Sequence, residues 1–126
     1  MIAQVTPEFL IVVLAISVFF IVFMTIYQNQ LTNLQQTKDK LQAQEAAQRV
    51  ANAINYVYLA GDGTSYDLII VAPRSNITAR GNFITAEVIN TGTLFQFPLI
   101  INVTNTTINN SGRIIITNVG GTIAIN

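Results

Sequence analysis

Residues 60–65 read Ala60-Gly61-Asp62-Gly63-Thr64-Ser65, and the chain changes character across them. Two glycines and an aspartate in so short a run end a helix rather than continue one. Upstream, residues 28–59 contain neither Gly nor Pro and are rich in Gln, Ala, Leu and Lys, all good helix formers. Downstream, β-branched and aromatic runs at 66–72, 83–90, 94–103, 113–118 and 122–125 predict strands. The turn signals "PRSN", "RGN", "NTG", "NNSG" and "VGG" separate them. Pro98 makes part of the third run an edge or a bulge. The expected fold class is α+β: a long amino-terminal helix over residues 1–60, then a small antiparallel β-sandwich-like outer domain over residues 61–126.

Working further upstream, residues 9–27 hold only Ser17 and Thr25 as polar positions. As a helix this stretch spans about 28 Å, close to the roughly 30 Å hydrocarbon core of a bilayer. No Lys or Arg precedes Lys38, so the basic start of a cleaved secretory signal is missing. Thr6 is placed to cap the helix, Pro7 suits its first position, and Glu8 falls in the first turn near the positive end of the dipole. Leu31, Leu34 and Leu41 fall on one stripe, which Ala47, Val50, Ala51, Ile54, Val57 and Tyr58 continue. One helix from Pro7 to about Leu59 would be roughly 80 Å long. Such a helix exceeds any globule this chain can make, so part of it is expected to project. Its second half is the element expected to cover one face of the sheet.

Composition narrows the function classes. The chain has 126 residues, formal net charge zero and 10% charged residues, against about 25% in soluble domains. No basic patch marks a nucleic-acid partner. A 51% hydrophobic chain with so little charge is expected to be covered by membrane, partners or glycans. Cys and His are absent, which removes thiol chemistry and the commonest metal ligand. Asp62, Asp67 and Glu87 are the carboxylates past the helix; no nucleophile–base pair or phosphate loop accompanies them, so neither enzyme nor cofactor is expected. "DGTSYD" looks faintly like a calcium loop but lacks the full set of oxygen ligands. Tyr56, Tyr58 and Tyr66 read as core and helix–sheet contacts, with a sugar-binding platform as the lesser alternative. Lys38-Asp39-Lys40 reads as a solvated patch of helix. Four sequons, at Asn76, Asn102, Asn105 and Asn109, are candidate N-glycosylation sites, a modest excess over chance.

Glu8 stands at the edge of the most apolar segment. In a bundle of packed apolar helices its carboxylate would be desolvated and would need a partner or a proton. The terminal amine of an adjacent copy is a natural partner, and such a pair sets register more than it adds stability. Apolar helices gain little by leaving lipid for one another, so specific polar contacts decide their arrangement. Glu8 is therefore the expected assembly and register residue.

The stretch "QVTPEFLIVVLAI", residues 4–16, resembles the start of archaeal type IV pilins. Gln4, Thr6, Glu8, Phe9 and Leu10 match that family's motif in type, and the layout of apolar helix, amphipathic continuation and Asn/Thr-rich β-domain is similar. The resemblance implies a prepilin peptidase cutting just before the motif and a pilus assembly machinery. It implies a membrane anchor before assembly and, afterwards, a homopolymeric extracellular filament that supports adhesion. Phe9, Leu10, Val13, Ile16, Phe20, Phe23 and Tyr27 would then lie in the filament core, with the β-domains as an outer wall that is often glycosylated. One departure bears on Glu8. Cleavage before Gln4 would leave a leader of Met1-Ile2-Ala3 with no basic residue. Either processing occurs ahead of Met1, which then carries the amine, or the Gln4 register does not apply. Two alternatives accompany this reading: an archaellin, and a single-pass membrane-anchored surface binding module.

Overall fold

The computed structural model describes residues 6–126. The fold is α+β. One uninterrupted helix, α1 (Pro7–Ala60, 54 residues), is followed by β1 (Ser65–Val71), β2 (Ser75–Val88), β3 (Leu94–Ile108), β4 (Ser111–Val119) and β5 (Thr122–Ile125). The strands form two antiparallel sheets, one ordered β1-β4-β5 and one pairing β2 with β3. The chain divides into two compact units at Gln35/Gln36, part-way along α1 rather than at its end.

The unit Gln36–Asn126 has a single core. From α1 it takes Ala43, Ala46, Ala47, Val50, Ala51, Ala53, Ile54 and Val57, at the i, i+3, i+4 spacing of one helix face. From the β1-β4-β5 sheet come Leu68, Ile70, Ile114, Ile116 and Ile123; from the β2-β3 pair come Ile77, Ile84, Val88, Leu99, Val103 and Ile108. Alternation is clean in β1 and β4, as expected of strands with one face on a core. The buried helix face is mostly alanine, with Val50, Ile54 and Val57 supplying bulk. Full burial of side chains of that size stabilises by about 1.5–3 kcal/mol each.

Several expectations need correcting. Leu31, Leu34 and Leu41 do not join the core stripe: they are exposed, and burial begins at Ala43. Tyr56, Tyr58 and Tyr66 are not core residues; each is more than a third exposed. Asp39 is not solvated: its side chain is 10% exposed and lies 3.6 Å from Arg74 Nη1, too long for a hydrogen bond. "RGN" is not a turn between strands. It is an irregularity inside β2, where the step from Gly81 to Phe83 is matched on β3 by the longer step from Val103 to Pro98. Gly81 takes φ +59° there, a conformation that favours glycine. Pro98, which has no N–H to give the ladder, sits at the margin of this bulge opposite Phe83.

Polar side chains close the gaps the bulge and turns leave. Asn55 of α1 donates to Pro98 O (3.5 Å) and accepts from Ile100 N (3.0 Å), at and beside the point where β3 departs from its register with β2. Asn118, 2% exposed, donates to Val57 O (3.3 Å) and accepts from Gly121 N (2.9 Å). Its backbone accepts from Gly63 N and donates to Thr64 O. Asp62 accepts from Gly120 N at 2.6 Å. The helix-ending loop is thereby tied to the β4–β5 hairpin. Gly120 and Gly121 both have positive φ between the paired Val119 and Thr122, the geometry of a two-residue type I′ turn.

Candidate functional site

The amino-terminal part of α1 is built as expected from its residues. Thr6 caps it: Phe9 N donates to Thr6 O (3.0 Å) and to Thr6 Oγ1 (3.3 Å), and Leu10 N donates to Thr6 O (3.2 Å). Pro7 occupies the first helical position, where an N–H would have no partner. Glu8 follows in the first turn and is exposed. Its negative charge favours the positive helix end. Gln4, Val5 and any amine at Met1, which the register argument for Glu8 involves, lie outside the described residues.

From Phe9 to Tyr27 the helix is apolar on every side. Phe9, Leu10, Val13, Ile16, Phe20, Phe23 and Tyr27 are all exposed, and so are Ile11, Leu14, Phe19 and Ile21 on the other faces. The two hydroxyls in the stretch turn inward: Ser17 Oγ donates to Val13 O (2.8 Å) and Thr25 Oγ1 to Ile21 O (2.9 Å). Back-bonding of this kind leaves no polar group seeking water. A helix apolar all round belongs inside a protein assembly or a membrane. This one is long and apolar enough to cross a bilayer, and none of its most apolar window is buried by the rest of the chain.

In the compact unit the four sequon asparagines are exposed. Asn76 lies in β2; Asn102 and Asn105 lie in the bulged part of β3; Asn109 lies between β3 and β4. Neither Asn102 nor Asn105 has a register partner on β2. Asn109 Oδ1 accepts from Ser111 N (3.2 Å), and its sequon neighbour Asn110 donates to Ser75 O (2.7 Å).

A second feature was only partly foreseen. A groove of ≈ 820 Å³ runs between α1 and β1, lined by Arg49, Asn52, Tyr56, Tyr66, Asp67 and Arg113 among others. The rings of Tyr56 and Tyr66 meet edge to face, with centroids 5.8 Å apart. Arg113 donates through both Nε (2.7 Å) and Nη2 to Asp67 Oδ2. These hydrogen bonds hold the Asp67 carboxyl below its usual pKa range and raise that of the guanidinium. The signal for this pair was positional: β1 and β4 register sets Asp67 diagonal to Arg113, which no local spacing reveals.

Comparison with protein-family models, curated proteins and solved structures returns no match for this chain.

Proposed function

We propose that the chain is a structural subunit of an extracellular archaeal filament of the type IV pilus kind, polymerising through its amino-terminal helix and supporting surface attachment. The observation that carries this reading is the apolar, wholly unburied stretch of α1 from Phe9 to Tyr27, continuous with a helix half that packs into a β-rich unit. Before assembly that stretch anchors the subunit in the membrane; after assembly, copies of it pack together in the filament core. Glu8 sets the register between them, and the β-rich unit forms the outer wall, with Asn76, Asn102, Asn105 and Asn109 as glycan acceptors. A prepilin peptidase and an assembly machinery act on it by the same resemblance. The role is structural, without catalysis, cofactor or nucleic acid.

A second reading draws on the same helix, whose length also suits a lone bilayer span. A membrane-anchored surface module would remain with the membrane, whereas a pilin would not. An archaellin would form a rotating filament. Electron microscopy of material sheared from cells, with mass spectrometry of the same fraction, separates these. Thin filaments dominated by this chain support the pilin reading. Its absence from every filament, together with a membrane-bound monomer, overturns it.

A further inference from the structure

The groove between α1 and β1 has no role in the filament reading, and its chemistry is specific. Tyr56 and Tyr66 are 58% and 42% exposed, so their rings contribute little to the core. Planar hydrogen-bonding groups surround them: the amide of Asn52, the guanidinia of Arg49 and Arg113, and the carboxylate of Asp67. Both Arg113 bonds fall on Asp67 Oδ2, which leaves Asp67 Oδ1 as an acceptor and Arg113 Nη1 as a donor for something else. The charges cancel in pairs, Arg113 with Asp67 and Arg49 with Glu45 (2.7 Å). The volume is within the roughly 300–1,000 Å³ of small-molecule sites.

We infer that this groove is a binding site for a neutral saccharide. The electron-rich face of a tyrosine ring attracts the C–H groups on the flat side of a pyranose. Fixed, pre-paired carboxylate, guanidinium and amide groups match vicinal hydroxyls, which both donate and accept. An anionic glycan would find no uncompensated cation, because each arginine already faces a carboxylate. A purely apolar ligand would leave those polar groups without partners.

The test uses the full-length chain in polyoxyethylene-ether micelles, since a sugar-headed detergent would compete. An array of neutral hexose and N-acetylhexosamine oligomers, uronic acid oligomers and sulfated oligomers is the probe. Neutral oligomers should be retained, and titrating the tightest of them should shift the ring resonances of Tyr56 and Tyr66 while sparing Tyr27 and Tyr58. Tyr56→Ala should weaken binding at least about tenfold, Tyr56→Phe should preserve it, and Tyr58→Ala, outside the groove, should leave it unchanged. Retention of acidic oligomers alone, no retention, or resonance shifts that bypass Tyr56 and Tyr66 would overturn the assignment. Chain made with and without glycans separates the sources. Equal binding by both points to a foreign saccharide. Binding by the unglycosylated form alone points to the glycans of the chain itself. Filament formation is read separately, so its loss leaves this result standing.

Discussion

Asn55 is a small side chain that ties helix to strand. It bridges α1 to Pro98 O and Ile100 N, at and beside the point where β3 departs from its register with β2. Asn55→Ala is expected to destabilise the compact unit by about 1–3 kcal/mol, read as a lower thermal midpoint of the full chain in micelles. Asn118→Ala should cost a similar amount, because Val57 O and Gly121 N lose their side-chain partner. Asp67 carries the acid dependence. Its folded pKa lies below the ordinary 3.8, so the pair with Arg113 contributes fully well above that value and is lost as pH falls through the folded pKa. The stability gap between the native chain and Asp67→Asn should therefore be flat from neutrality down to about pH 5 and close progressively as pH falls from there through the lowered folded pKa. Glu8→Ala is predicted to leave the β-rich unit folded, by circular dichroism, while impairing filament formation or altering helical register. Normal filaments from that variant would remove Glu8 from the assembly account.

At the scale of the element, α1 is two surfaces in one helix. Its first half is apolar on all faces and its second half presents an alanine-rich stripe to a core. The stripe depends on smallness. Ala47→Leu inserts bulk where the side chain is fully buried and should cost about 1–3 kcal/mol in thermal unfolding. Leu34→Gln, at an exposed position, should leave that midpoint unchanged. The strands were harder to bound from sequence. "PRSN", "NTG", "NNSG" and "VGG" do mark turns or strand ends, but "RGN" lies within β2. A glycine flanked by polar residues signals a break in extended pairing; whether the chain then turns or bulges depends on the partner strand.

For the whole molecule, the scarcity of charge sets an expectation for any assembly it makes. Contacts among apolar helices are not screened by salt. Filaments of this chain should survive about 1 M salt and come apart in detergent, as followed by light scattering; the reverse pattern would mean that surface charges hold them. The helix, its cap and the α+β class were legible in the sequence because they rest on local chemistry: helix formers without Gly or Pro, Thr6 ahead of Pro7, and a change of period at Gly61. The four exposed asparagines were legible as sequons, though not as residues of strand and bulge. Tertiary structure decided where the stripe on α1 begins, because the more apolar Leu41 is exposed while the smaller Ala43 is buried, and only the presence of a packed sheet distinguishes them. It also brought Asp67 to Arg113 and Asn118 to Val57, partners far apart in the chain, and Tyr56 to Tyr66 across the helix-ending loop; each meeting depends on strand register and helix packing. Periodicity specifies which face a residue takes; only the packed chain specifies what stands opposite it.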